Sequence, residues 1–276
     1  MSLEEAIQKQ GAARFVDATW YHKGDLDPRK SFEEGPRIPG GVYFDIDDIC
    51  DNASSLSHML PSGALLEAWM EHHQIRPTLD HVILYGQKGS WFLPRVWFTF
   101  RSLGHTQVSI LEAGLNEWMQ GGGVVETHPV TTVRRDELKV KQQPSLLQER
   151  AQQVVDLDMM ERVVGRQDTV ILDARGSSFE KDGHMPGAIH LPYSSISDTV
   201  KLKENLKNRF QEIGVDPLDE SQEIICTCGS GVSACTIYLA LYECGRREAM
   251  SVYDGSWQEW KAYPDLPKVK PLSLSD

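Results

Sequence analysis

Long apolar runs are missing from this chain: none in its 276 residues approaches the roughly 20 residues that a membrane-crossing helix needs, so no membrane partner is expected. Basic charge is scarce as well. Only 28 Lys and Arg stand against 40 Asp and Glu, a formal charge of −12 with no dense basic cluster, so nucleic acid and anionic membrane surfaces are not expected partners either. The N-terminus lacks the charged, apolar and small-residue order of a secretory signal, and Ser2 with Glu5 suits the capping box of a first helix instead. Cysteine is rare: of five, four (Cys226, Cys228, Cys235, Cys244) crowd into the last quarter. An odd, clustered set does not read as a disulfide framework, and a reducing compartment, the cytoplasm, is expected. A mitochondrial location is the alternative if a targeting segment has been removed.

The same cysteines exclude two chemistries. Cys226-Thr227-Cys228 is spaced too closely for a Cys-x-x-Cys half-site and no second pair follows, so neither metal nor another cofactor is expected. A cysteine phosphatase needs an arginine six positions after its nucleophile, where this chain has Ala234 after Cys228 and Val232 after Cys226.

What is present is one stretch suited to a reactive thiol. Ile224 to Thr227 read as a short buried strand, and Val232, Cys235, Leu239 and Tyr242 recur at helical spacing. Between them Cys228-Gly229-Ser230-Gly231-Val232-Ser233 can curl so that several N–H groups converge on the Cys228 sulfur. The amide ring and the positive end of the following helix both favour a thiolate, whose pKa in such places falls from ~8.5 to roughly 3.5–7.5. Cys226 and Cys235, on the strand and the helix, read as core residues.

Taken in order, the chain repeats itself. Phe15 to Ala18 suggest a strand, followed by a polar loop to Pro36, the turn Arg37-Ile38-Pro39-Gly40-Gly41 and a strand at Val42-Tyr43-Phe44. Ser62 caps a helix with Leu65, Leu66, Trp69, Met70 and His73 on one face. A strand at Val82 to Tyr85, a helix from Pro94 to Leu103 and a strand at Val108 to Leu111 lead to Glu117-Trp118. In the second half Thr169 to Asp173, the turn Gly183-His184-Met185-Pro186-Gly187-Ala188, a helix carrying Leu202, Leu206, Phe210 and Ile213, and the strand Met250 to Tyr253 come in the same order. Asp254-Gly255-Ser256-Trp257-Gln258-Glu259-Trp260 then echoes Glu112 to Trp118. The expected organisation is α/β: a domain over 1–122, a linker over 123–153 and a second domain over 154–276, each a mainly parallel sheet flanked by helices. Only the second half carries the cysteine, because the strand at Val82 runs into Gly86-Gln87-Lys88-Gly89-Ser90.

The tandem order, the two Pro-Gly turns, Tyr253 to Trp257 and above all Cys228-Gly229-Ser230-Gly231-Val232-Ser233 resemble the rhodanese superfamily, and within it the 3-mercaptopyruvate sulfurtransferases. The resemblance runs from about Arg14 to Pro264 and implies two tandem rhodanese-like domains, the first without a catalytic cysteine. It implies that a small-molecule sulfur donor, 3-mercaptopyruvate, loads Cys228 as a persulfide, and that a thiol such as thioredoxin or glutathione, or cyanide, takes the sulfur. It further implies that Gly229, Ser230, Gly231, Val232 and Ser233 stabilise the persulfide, and that Ser230, His58 and Asp47 form a proton relay.

The chain departs from this pattern where the family carries two carboxylate-gripping arginines. Here Asp173-Ala174-Arg175-Gly176-Ser177-Ser178-Phe179-Glu180-Lys181 is shorter and lacks both, with Arg175 in a structural position and His184 fixing the turn that follows. Lys181, Arg37 and Arg95 are the remaining candidates for the donor's carboxylate. A thiosulfate sulfurtransferase, or a relay or scaffold protein that accepts persulfide from a partner without turnover, are the alternative functions.

Overall fold

A computed structural model of the chain describes residues 1–22, 26–87, 90, 92–148, 153–197 and 203–270. Two compact units result. Unit 1 is Met1–Asn52 with Leu60–Arg150, and unit 2 is Ala53–Met59 with Ala151–Asp276. Among the described residues no helix is long and apolar enough to cross a membrane.

Unit 1 is built on β1 (Arg14–Asp17), β2 (Val42–Tyr43), β3 (Val82–Tyr85) and β4 (Val108–Ile110), in the order β2-β1-β3-β4 and parallel throughout. Unit 2 contains β5 (Val154–Val155), β6 (Thr169–Asp173), β7 (Ile189–His190), β8 (Glu223–Thr227) and β9 (Met250–Tyr253), in the order β5-β9-β8-β6-β7 and again all parallel. Without β5 the second order is the first one repeated. Every residue of β3 and β9 is buried, as expected of parallel strands covered on both faces.

The repeat extends to side-chain detail. Pro39-Gly40 and Pro186-Gly187 both make turns with a left-handed glycine (φ 69° and 76°), closed by Gly41 N–H to the Ile38 carbonyl and Ala188 N–H to the Met185 carbonyl. Trp118 and Trp260 are fully buried, and their indole N–H groups donate to the carbonyls of Val124 and Pro267.

Helix ends follow local rules. Ser2 and Glu5 form the reciprocal capping box, and the Ser62 hydroxyl accepts from Leu65 N–H at the start of Gly63–His72. Leu202, assigned to the face of the helix Lys203–Glu212, lies outside the described residues. One expectation fails: the segment taken as a polar loop holds a helix, Pro28–Glu34, capped by Asp27 with proline in its first turn. Asp-Pro is a sound helix start, but the composition around it is that of a loop.

The repeat differs at one pair of aspartates. Asp173, at the end of β6, is gripped by the Arg175 guanidinium, whereas the carboxylate of Asp17 at the end of β1 has, among the described residues, only Thr19. One Asp17 oxygen is buried without a partner, and burial pushes this carboxyl up to about 6 against the opposing Thr19 hydrogen bonds. Between its ordinary value near ~3.9 and 6 the folded state therefore holds a proton that the unfolded chain releases, so this group costs stability as pH rises through that window. His105, pushed down to about 4 by burial, acts in the opposite sense and costs stability as pH falls from ~6.5 towards 4. Asp17→Asn removes the first effect alone. Acidification from pH 7 to 5 is then expected to destabilise the variant by about 1 kcal/mol more than the parent, measured by urea denaturation at both pH values.

Candidate active site

Strand β8 lies between β9 and β6, and its carboxyl end delivers Cys228 into the loop that precedes the helix Ala234–Cys244. This is where open parallel sheets place ligands. The helix is apolar nearly all round and packs on β8 and β9 and on the helices Ser194–Ser197 and Lys203–Glu212, so the loop before it is held from below. Val232, expected within it, stands in the turn ahead of its first residue. Gly231 adopts φ 78°, the left-handed turn that a residue with a Cβ resists.

The loop is fastened from one side. Trp257 N–H donates to the Cys228 carbonyl (3.0 Å) and Gln258 N–H to the Gly229 carbonyl (2.9 Å), so the first free donors of the helix Ser256–Trp260 are used on the loop. A trans peptide sets each N–H opposite its carbonyl, so the N–H groups of Gly229 and Ser230 turn away from that helix. Among the described residues the N–H groups of Gly229, Ser230, Val232 and Ser233 meet no protein acceptor.

Ser256 completes the seat and was not singled out by the sequence. It is fully buried at φ 53°, accepts the Cys228 N–H (3.1 Å) and the Thr227 hydroxyl (3.3 Å), and donates to the Tyr253 carbonyl (2.8 Å). In unit 1 the matching backbone bond, Leu115 N–H to the Gly86 carbonyl, is present, but Gly114 stands in place of the serine. A hydroxyl in one copy of the repeat and a glycine in the other is the signal that could have revealed it.

All five cysteines are free thiols, and Cys228 is 2% exposed. Burial, with Cys235 nearby, pushes the Cys226 thiol far up, which keeps it neutral and unreactive. Cys235 donates its thiol to the Gly231 carbonyl (3.3 Å) and so supports the loop.

The other expected site residues divide between the units. Ser230 lies in the Cys228 loop, half-buried. His58, half-buried at φ 62°, sits in Ala53–Met59, the piece of the first half that belongs to unit 2. Its neighbour Ser57 exchanges two hydrogen bonds with the Gln258 side chain. Asp47 is an exposed residue of unit 1 whose carboxylate accepts the Trp20 indole N–H (2.7 Å).

Of the three cations proposed for a carboxylate, Arg37 is corrected. It is fully buried, paired to Glu126 (3.0 Å) and donating to the carbonyls of Phe32 and His128, so its charge is spent on the chain itself. Arg95 is 2% exposed, within the helix Leu93–Ser102 of unit 1. Lys181, at the end of the short helix Ser178–Lys181, is exposed. Arg175 is structural: besides Asp173 it binds the Gly183 carbonyl, and its guanidinium lies 4.6 Å from the Trp257 ring. His184 stacks on Phe179 (4.1 Å) and pairs with the Met185 carbonyl inside the Pro-Gly turn. No cluster of three or more His, Cys, Asp or Glu side chains suited to a metal occurs among the described residues.

Comparison with known proteins adds relatives to this geometry. The Rhodanese-like domain family matches residues 2–120 and 156–263. The thiosulfate sulfurtransferase of Rattus norvegicus is 36% identical over 264 residues, 90% of this chain and 84% of the relative. The 3-mercaptopyruvate sulfurtransferase of Homo sapiens is 34% identical over 267 residues, again 90% and 84%. Among solved structures, the Tum1 protein of Saccharomyces cerevisiae superposes with a TM-score of 0.80 at 26% identity, covering 98% of this chain and 97% of that one. SseA of Escherichia coli, described with the rhodanese fold of 3-mercaptopyruvate sulfotransferases, gives 0.76 at 26% identity, covering 93% and 98%.

Proposed function

The chain belongs to the rhodanese family, and on that premise we propose that it moves sulfur from 3-mercaptopyruvate through a persulfide on Cys228 to a thiol or cyanide. The observation that carries this reading is the Cys228 loop: a thiol at the end of β8, in a loop with four N–H groups that meet no protein acceptor among the described residues. Such donors stabilise a charged sulfur without reorganising during reaction.

The Cys228 thiolate attacks the donor's sulfur, the new S–S bond forms and the donor's C–S bond breaks. Pyruvate leaves as its enolate and is protonated at the methylene carbon, the donor's thiol supplying that proton overall. Ser230 and His58, both in unit 2, are the groups we assign to moving it. In the second half-reaction an acceptor thiolate attacks the outer sulfur, and Cys228 departs as the thiolate it began as. Thioredoxin and glutathione fit as acceptors, and cyanide would leave as thiocyanate. The thiols are reduced throughout, which suits the cytoplasm.

Thiosulfate is the second reading, favoured by its presence in the name of the rat relative. It would load Cys228 the same way, with sulfite leaving. Against it stands an uncharged loop: residues 228–233 contain no cation to meet a dianion, whereas 3-mercaptopyruvate brings a single carboxylate. Steady-state kinetics with each donor and a common thiol acceptor decide the matter. The expected kcat/KM is at least about tenfold higher for 3-mercaptopyruvate, the size of one charged contact. The reverse ratio assigns thiosulfate, and no turnover with either donor leaves the relay reading.

A further inference from the structure

Gln258 makes three hydrogen bonds that reach in two directions. Its backbone N–H holds the carbonyl of Gly229, the residue after Cys228 (2.9 Å). Its side chain closes on Ser57, the residue before His58: the Ser57 hydroxyl donates to Oε1 (2.9 Å) and Nε2 donates to the Ser57 carbonyl (3.0 Å). These side-chain partners are 201 positions apart in sequence, and all of the groups lie in unit 2.

The segment that Gln258 contacts lacks helix and strand. Ala53–Met59 forms only bends and turns, and His58 within it adopts φ 62°, a left-handed conformation that a side chain disfavours. A residue that transfers a proton needs its place fixed closely, and a displacement of about 1 Å can cost roughly a hundredfold in rate. A two-point contact on the adjacent residue fixes both the position and the direction of the chain entering His58. The backbone bond to Gly229 does not depend on the side chain, so the two functions of Gln258 can be separated.

We propose that Gln258 is a positioning residue for sulfur transfer, registering His58 against the Cys228 loop through Ser57. This rests on the roles assigned above to Cys228 and His58. The test uses the full chain with 3-mercaptopyruvate and a thiol acceptor, comparing wild type, Gln258→Met, His58→Asn and the double variant. Methionine keeps the length and loses both side-chain hydrogen bonds. Gln258→Met is expected to lower kcat about tenfold with KM changed by less than about twofold, and alkylation of Cys228 by iodoacetamide is expected to keep its rate. The double variant is expected to be no slower than His58→Asn alone, since Gln258 has nothing left to act through.

Multiplying effects in the double variant, a Gln258→Met kcat equal to wild type, or an alkylation rate that falls in step with kcat would each overturn the inference. Two failures of the underlying reading look different. If wild type transfers no sulfur, the function of Cys228 fails first. If wild type turns over and His58→Asn is as fast, Cys228 stands while the role of His58, and of Gln258 with it, falls.

Discussion

Cys228→Ser is expected to lower sulfur transfer from any donor by at least about a thousandfold, with the fold intact, because loss of a covalent nucleophile is among the largest single-residue effects in catalysis. A serine hydroxyl occupies nearly the same space in this buried position, so the hydrogen bonds of its backbone to Ser256 and Trp257 should persist. What disappears is the sulfur that can be attacked and released again. Circular dichroism and thermal unfolding of the variant should match the parent, and turnover measured with 3-mercaptopyruvate and thiosulfate should be at background for both. Cys226→Ser and Cys235→Ser, which alter buried thiols, the second bonded to the Gly231 carbonyl, should keep most activity in whatever fraction folds.

The largest expected loss of stability comes from Arg175→Met. Arg175 and Asp173 are both almost wholly buried, 5% and 1% exposed, and their contact is bidentate, with Nη2 to the carboxylate at 2.7 Å. Removing one partner of such a pair leaves the other charge uncompensated and costs roughly 3–5 kcal/mol. For a chain of this size that lowers the unfolding temperature by roughly 10 °C. The variant also gives up the Gly183 carbonyl contact and the stacking on Trp257, whose backbone N–H holds the Cys228 carbonyl, so activity should fall with stability. Asp173→Asn in the same chain removes the stranded charge and should recover part of the loss. No recovery in the double variant would mean that the packing of Arg175 on Trp257, rather than the charge of Asp173, sets its importance.

Much of this architecture was legible in the sequence because its signals are local. The strand at Thr169–Asp173 is a short apolar run with polar ends, the Ser62 and Ser2 caps are written in four residues each, and the Pro-Gly turns repeat with their left-handed glycines. The duplication doubled every such signal. The glycine-rich step from β8 into the helix marked Cys228 for the same reason.

Properties that depend on distant partners stayed out of reach. Arg37 was a plausible carboxylate ligand by charge alone, and only Glu126, 89 positions on, reveals that it is already paired. Ser256 reads as a turn residue until its hydroxyl is seen under the Cys228 amide, 28 positions back. His58 sits in the first half of the sequence, yet its segment folds with the second. The edge strand Val154–Val155 was hidden by the polar run before it, whereas the helix Leu157–Val163, capped by Asp156, matches the helix Leu3–Gln8 that precedes β1 in the first half.

That Cys228 carries sulfur is tested most directly by mass. The wild-type chain, loaded with 3-mercaptopyruvate or thiosulfate without acceptor, alkylated to cap its thiols and digested, should show one added sulfur atom on the peptide containing Cys228, removed by cyanide. Added sulfur on a peptide carrying Cys50, Cys235 or Cys244 alone, or no added sulfur with a donor that is nonetheless turned over, would contradict it.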